Sequence, residues 1–177
     1  IIGRNAPFVG VTEQPLNPGV AYGTLTFVPN NELATAVLGP RVVLVTDSVP
    51  NDIGFVGGLV TEALQTPLAH VNVLSQNRGT PNLAVVGARN RSEFEPLFGE
   101  LVRLEVTESG FTVRVAELAE AQAHWESIMP PGPPQSPARD ITVRGIQDLA
   151  DRDYSDIPSI GGKAAQFAEL YRITFPV

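Results

Sequence analysis

The sequence of 177 residues contains no cysteine. Disulfide bonds, thiolate metal sites and cysteine nucleophiles are therefore excluded, and the absence fits a reducing compartment. No apolar run approaches the roughly 20 residues that a helix needs to cross a bilayer, so we expect no membrane partner. The expected location is the cytoplasm.

Basic residues are also scarce. The 12 Lys and Arg residues stand against 19 Asp and Glu, which gives a formal net charge of −7. General nucleic-acid binding depends on neutralising phosphates with basic side chains, so we expect no nucleic-acid partner. The hydrophobic fraction of 43% is that of a folded chain with a sizeable core.

Proline is abundant and unevenly distributed, with five prolines in residues 129–137. Proline fixes φ and donates no backbone hydrogen bond, so neither helix nor sheet runs through this stretch. We predict a semi-rigid linker over 129–140, a main domain over 1–128 and a separate segment over 141–177. A turn-rich loop inside one domain is the alternative.

The main domain shows the pattern of an α/β protein. Short runs rich in β-branched residues predict strands, the second of them buried on both faces. Two further segments have helical composition, and the first of them ends at Gly79. The predicted strands are 21–28, 41–46, 57–62, 82–86 and a hairpin of 101–106 with 111–115, and the predicted helices are 70–77 and 116–128.

Two local signals refine this pattern. Asp47 and Ser48 follow a predicted strand and are N-cap candidates for a turn or short helix. In the helix over 70–77, the spacing of Val71, Leu74 and Val73 predicts one apolar face.

His70 is the main candidate for chemistry. It follows Pro67, which imposes an extended approach, and it stands at the first turn of a predicted helix. A helix N-terminus offers unpaired N–H groups and a partial positive charge, which favours phosphate and disfavours a charged imidazolium. The neutral ring is then available as a nucleophile. A capping or packing role is the alternative.

The other histidine, His124, lies near the C-terminal end of a predicted helix, where a solvated or dipole-complementing role is expected. Two distant histidines with no cysteine, and no carboxylate three or four residues after His70, offer no metal ligand set.

A second glycine-rich site precedes the last predicted helix. Gly161-Gly162-Lys163 has backbone N–H groups and a lysine that suit a phosphate, but it lacks the spacing and hydroxyl of a P-loop. A plain helix N-cap is the alternative. Within that helix, Ala164, Phe167, Ala168 and Tyr171 predict an apolar face.

The order of segments resembles the swivelling phosphohistidine domain of the PEP-utilising enzymes, which include phosphoenolpyruvate synthase and pyruvate phosphate dikinase. That family places Gly-x-Pro nine to eleven residues after its histidine, as His70, Gly79 and Pro81 do here. The resemblance covers roughly residues 15–120 and implies a β/β/α swivelling fold. It also implies that His70 carries a phosphoryl group.

The tail resembles the opening of the ATP-grasp nucleotide-binding domain of the same enzymes. The matching sequence is Ile160-Gly161-Gly162-Lys163-Ala164-Ala165, where the family has V-G-G-K-x-A. The resemblance implies that Lys163 contacts ATP, that residues 141–177 are the truncated start of that domain, and that the full-length enzyme uses ATP and Mg²⁺. The implied partners are the ATP-grasp and acceptor-binding domains of the same polypeptide.

Three departures from the family pattern concern the surroundings of the histidine. The family's Thr-Ser is here Leu68-Ala69, and Thr61 or Thr66 are candidates to supply the missing hydroxyl. The family's arginine six residues after the histidine is Gln76. Arg78 comes two residues later, about 200° further round a helix.

The resemblance implies a carrier that takes phosphate from ATP on His70 and passes it to pyruvate. The string Leu68-Ala69-His70-Val71-Asn72-Val73 is also similar to the glucan water dikinases, whose acceptor is a polysaccharide. A non-catalytic module that retains the fold is the third alternative. By itself the chain is expected to hold no cofactor and to show no turnover.

Overall fold

A computed structural model describes residues 9–66, 68–129, 132 and 138–173. The chain divides into two compact units, Ile1–Met129 and Pro130–Val177. Most of the proline-rich stretch predicted as a linker, namely residues 130, 131 and 133–137, lies outside the described residues.

The first unit is built on one mixed sheet of seven strands. Its spatial order is β1-β5-β4-β3-β2-β6-β7. The four strands β2 to β5 run parallel to one another, while β1, β6 and β7 are antiparallel to their neighbours. The strands are β1 (Glu13–Asn17), β2 (Gly19–Phe27), β3 (Val42–Thr46), β4 (Gly58–Thr61), β5 (Asn82–Val85), β6 (Leu101–Val106) and β7 (Phe111–Val115).

The predicted strands are confirmed with small shifts at their ends. β3 and β4 are short and largely apolar because parallel strands are covered on both faces. β1 was not predicted, since its sequence Glu-Gln-Pro-Leu-Asn has no alternating pattern. It lies at the edge of the sheet, where a proline such as Pro15 is tolerated.

Two helices belong to this unit, α1 (His70–Arg78) and α2 (Leu118–Ile128). α1 ends at Gly79, which has φ of 65° in the left-handed region, as the sequence predicts. α2 begins with a capping box in which Glu117 and Glu120 each accept a hydrogen bond from the other's backbone N–H.

The predicted apolar face of α1 is right for Val71, which is fully buried, and wrong for Val73, which is 39% exposed; the other buried side chains are those of Asn72 and Ser75. Polar residues occupy the buried face because a polar cluster in the sheet lies beneath this helix. Asp47 starts no helix; its Oδ1 instead accepts a hydrogen bond at 3.0 Å from the backbone N–H of Asn30.

The hydrophobic core lies on both faces of the sheet. Val71 of α1 packs with Leu44 and Leu59, so α1 covers the face on which these two side chains lie. The alternate residues of the same strands point to the other face, where Phe94 is fully buried. α2 packs on Tyr22 through Ala121.

The second unit contains α3 (Ile157–Ile160) and α4 (Gly162–Arg172). The predicted apolar face of α4 is wrong in part: Ala165 and Ala168 are buried, whereas Phe167 and Tyr171 are 61% and 68% exposed. Small side chains are buried there because neighbouring turns approach this helix closely. None of the helices in the described ranges has the length and apolar character to cross a bilayer.

Candidate functional site

His70 lies where the parallel strands end. β4 and β5 are parallel and α1 connects them, so the helix runs back against the strand direction. Its N-terminus therefore lies at the carboxyl edge of the sheet, which is the edge where α/β proteins bind ligands. The predicted position of His70 at the start of a helix is confirmed, and its side chain is exposed.

The first turn of α1 has no side-chain cap. The N-cap residue is Ala69, whose carbonyl oxygen accepts hydrogen bonds from the N–H groups of Asn72 (2.9 Å) and Val73 (3.2 Å). An alanine at this position cannot occupy the first N–H groups of the helix as Ser, Thr, Asp or Asn would. The helix start is therefore compatible with an external anion next to the imidazole.

The loop before His70 is held by the edge strand β1. The side chain of Gln14 makes two hydrogen bonds to the backbone of Gln65: Nε2 donates to the carbonyl oxygen and Oε1 accepts from the N–H, both at 2.9 Å. A turn follows in which the Ala69 N–H donates to the Thr66 carbonyl. This arrangement fixes the backbone that leads into His70.

A chain of buried amides continues from this loop into the helix. Gln65 Nε2 donates to Thr61 Oγ1 and to Asn82 Oδ1, both at 2.9 Å, and Asn82 Nδ2 donates back to Gln65 Oε1 at 3.1 Å. Asn82 also donates to Asn72 Oδ1 at 3.4 Å. All four residues are at most 3% exposed. We call Thr61, Gln65, Asn72 and Asn82 the amide cluster.

The C-terminal end of α1 is also tied to β1. Asn17 Nδ2 donates to the carbonyl oxygens of Thr80 (2.7 Å) and Ser75 (3.3 Å). Thr80 follows the helix, and the Ser75 carbonyl also accepts the Thr80 N–H at 2.9 Å, so Asn17 joins the turn that ends α1. A single edge strand thus holds the chain on both sides of the helix that begins with His70.

The chain around His70 is electrically neutral. Residues 63–77 include no Asp, Glu, Lys or Arg, although the protein has a net charge of −7. The preceding carboxylate, Glu62, forms an ion pair with Arg89 at 2.9 Å and accepts the Arg89 N–H. The hydrogen bond that the Arg89 guanidinium donates to Glu62 raises the pKa of Arg89. An approaching phosphate therefore meets little local repulsion from carboxylates.

The hydroxyls considered as substitutes for the missing Thr-Ser pair differ in availability. Thr61 is fully buried and its hydroxyl donates to the carbonyl oxygen of Ala63 at 2.8 Å, so it belongs to the amide cluster. Thr66 is exposed in the loop before the helix. Leu68, in the position of the family's threonine, is 89% exposed.

Arg78 and His124 lie away from this helix start. Arg78 is the last residue of α1 and its guanidinium donates to the carbonyl oxygens of Ile53 (3.1 Å) and Gly54 (3.5 Å). His124 lies on α2 with its ring centroid 4.9 Å from that of Tyr22. Burial, helped by the charge of Arg103, lowers the pKa of His124.

Lys163 belongs to the second unit, where it is the second residue of α4 and is exposed. The residue before the helix, Gly161, has φ of 83°, a conformation that favours glycine. Lys163 lines a shallow pocket of ≈ 270 Å³ together with Gln166, Phe167 and Leu170. Over the described ranges, no three His, Asp or Glu side chains come together as a metal site would require.

Sequence reasoning did not find Gln14, Gln65 and Asn82. One signal was present: Asn82 follows a turn and begins a buried apolar strand, where a polar residue needs a specific partner. Gln14 gave no such signal because its partner is 51 residues away.

Comparison of the sequence with protein-family models gives no match. Comparison with curated proteins gives none either.

Proposed function

We propose that this chain is the phosphoryl-carrier part of a multidomain dikinase, with the swivelling β/β/α fold of the PEP-utilising enzymes. His70 accepts a phosphoryl group from ATP and passes it to pyruvate. The observation that carries the proposal is the exposed imidazole at the uncapped start of α1, at the carboxyl edge of parallel strands.

The chemistry divides one transfer into two. In the first step a ring nitrogen of His70 attacks a phosphorus atom of ATP, a P–N bond forms, a P–O bond breaks, and the departing nucleotide oxygen keeps the electron pair. The ring then loses its remaining N–H proton to solvent. In the second step the enolate oxygen of pyruvate attacks the phosphorus, and the P–N electrons and one proton return to the ring.

The surroundings of His70 suit a group that carries a phosphate. The neutral stretch 63–77 avoids repulsion of the phosphoryl oxygens, and the first N–H groups of α1 are available as donors to them. In this proposal the proline-rich sequence 129–140 joins the carrier to a nucleotide-binding domain, of which residues 141–177 are the start.

The residues of the second unit suit a contact to ATP better than they suit the binding of Mg²⁺. Lys163 has no hydrogen-bond or ion-pair partner among the described residues, and its position on the first turn of α4 suits one contact to a polyphosphate. Most acidic residues of this unit bond neighbouring backbone or side-chain groups, as Asp156 does in its ion pair with Arg152 at 3.2 Å. In this proposal the ligands of Mg²⁺ therefore come from the rest of the enzyme.

The test is isotopic labelling of the full-length polypeptide with β- and γ-labelled ATP. We expect acid-labile, base-stable label on His70 in the wild type and none in His70→Ala. The matched control is His124→Gln, which changes the other histidine of the sequence and should label normally. Equal labelling of wild type and His70→Ala would contradict the proposal.

Two specific observations favour other functions. The string 68–73 is similar to that of the glucan water dikinases, and phosphate passing from labelled His70 to a glucan but not to pyruvate would identify that acceptor. The alanine at the N-cap supplies no hydroxyl to a phosphoryl group, which favours a non-catalytic module. Absence of any label in the wild type would support that module.

A further inference from the structure

We propose that Gln14, on the edge strand β1, is a positioning residue for His70, acting through Gln65 and the amide cluster. The inference rests on the proposed function of His70 and concerns how that side chain is presented. It assigns to β1 a role in the site, although the strand contributes no group to the transfer itself.

Gln14 contacts the backbone of Gln65 through both polar atoms of its side-chain amide. Its amide makes a reciprocal pair with the backbone of Gln65, at 2.9 Å in both directions. A primary amide bonded to both the N–H and C=O of one residue imitates a strand neighbour, so it fixes the orientation of that residue's peptide groups. Gln65 lies five residues before His70.

Gln65, whose peptide groups are held by Gln14, is connected to α1 by two routes. Along the backbone, the turn closed by the Ala69 N–H and the Thr66 carbonyl leads directly into the helix. Through side chains, Gln65 bonds Asn82, which bonds Asn72 on the first turn of α1. Both routes end within two residues of His70.

Buried amide groups are costly to leave unpaired, so the amide cluster has one arrangement that satisfies its members. Gln14 lies outside that buried group, on the partly exposed edge strand. Its substitution therefore releases the loop without removing a member of the core. This makes it a better probe than Gln65, whose loss would leave several buried partners unsatisfied.

The test is Gln14→Met. Methionine has similar length and no hydrogen-bonding amide, so it removes both hydrogen bonds to the Gln65 backbone. Gln122→Met on the exposed surface of α2 is the matched control. Each variant is made in the full-length polypeptide, and two quantities are measured.

The first measurement is amide hydrogen exchange. We expect exchange in residues 65–73 to accelerate about tenfold or more in Gln14→Met and not at all in Gln122→Met. Exchange elsewhere in the first unit should stay within about twofold of the wild type. Unchanged exchange in residues 65–73 of Gln14→Met would overturn the proposal.

The second measurement is the single-turnover rate of His70 labelling from β- or γ-labelled ATP. We expect Gln14→Met to label on the order of tenfold more slowly or worse, since small misplacements of a reacting group are costly. Chemical phosphorylation of His70 by potassium phosphoramidate should stay within about twofold, because the ring remains exposed in every variant.

The outcomes separate this inference from the proposed function. Label on wild-type His70 at the same rate in Gln14→Met overturns the positioning role and leaves the carrier function standing. Absence of label in the wild type overturns both. Slower labelling together with an equally slowed phosphoramidate reaction would show that the reactivity of the ring itself had changed and also overturns the positioning role.

Discussion

Thr46 and Thr61 are register partners on the parallel strands β3 and β4, and both are fully buried. Their hydroxyls differ in bonding. Thr61 Oγ1 accepts from Gln65 and donates to the Ala63 carbonyl, whereas Thr46 Oγ1 has no partner among the described residues. Two identical side chains in matched positions therefore permit a direct comparison of a paired and an unpaired buried hydroxyl.

We expect Thr46→Val to leave stability unchanged or raise it by up to about 1 kcal/mol, because valine removes an unpaired buried polar atom and keeps the shape. Thr61→Val should cost about 1–3 kcal/mol, since it removes the acceptor of one Gln65 N–H and the hydroxyl that donates to the Ala63 carbonyl. Urea unfolding of each variant measures both. A clear loss of stability in Thr46→Val would mean that its hydroxyl has a partner after all.

At the scale of residues, the position of His70 at a helix start was easier to predict than the packing of that helix. His70 was singled out because Pro67 and Gly79 mark the two ends of a short predicted helix. Both are local signals in the sequence. Asn72 and Ser75 were missed as buried residues. Helical periodicity ranks residues by hydrophobicity, and here part of the surface beneath the helix is polar, so the ranking failed for these two residues.

At the scale of elements, α2 carries a titratable contact with the sheet. The His124 ring lies against Tyr22, whose hydroxyl accepts a hydrogen bond from Arg103 Nε at 3.1 Å. Protonated His124 would be partly buried beside the Arg103 cation, so its pKa is lowered, first by burial and then by that charge. Glu120 of α2 is the carboxylate that faces Tyr22, at 3.4 Å, and Arg114 pairs with it at 2.7 Å.

This contact predicts how stability depends on pH. With a lowered pKa in the folded state, the unfolded chain binds more protons as pH falls below the unfolded value of about 6.5. The contribution of His124 is therefore fully present above that value and is lost as pH falls through its folded pKa. In His124→Gln, the free energy of unfolding should therefore change less with pH over this range.

Unfolding free energies of wild type and His124→Gln between pH 8 and pH 5 give the measurement. The difference between the two proteins isolates His124 from the carboxylates. The carboxylates of Glu93 and Glu120 have the most strongly lowered pKa values, about 2, because they bond Arg91 and Arg114. In the folded protein they therefore titrate below this pH range. A constant difference across the range would show that α2 docking does not depend on this proton.

The element scale also explains why β1 escaped prediction. Its residues show no alternating strand pattern. The strand forms because it pairs with the open edge of β5, where Gln14 bonds Gln65 and Asn17 bonds Thr80. Strands β3, β4 and β5 were predictable because burial on both faces demands an apolar, β-branched sequence wherever they lie in the sheet.

At the scale of the whole molecule, the two units invite a test of independence. We expect a chain ending at Met129 to unfold cooperatively with the melting temperature of the first unit in the longer protein, because the seven strands, α1 and α2 all lie before that point. Differential scanning calorimetry of both chains gives the comparison.

The matched control is a chain ending at Ala116, which lacks α2 and uncovers Tyr22. It should be less stable, since Ala121 and Trp125 no longer cover the sheet and the hydrogen bond from Trp125 Nε1 to the Tyr22 carbonyl is lost. Equal stability of the two shortened chains would show that α2 contributes nothing to the unit.

The sequence by itself determined the local structure: the buried parallel strands, the hairpin of β6 and β7, the end of α1 at Gly79, and His70 as its first residue. These follow from backbone preferences and from burial periodicity, which act over a few residues. Only the tertiary structure decided that Gln14 reaches Gln65 across 51 residues and that polar side chains face inward on α1. Such contacts depend on which strands become neighbours, and strand order is set by the packing of the whole sheet.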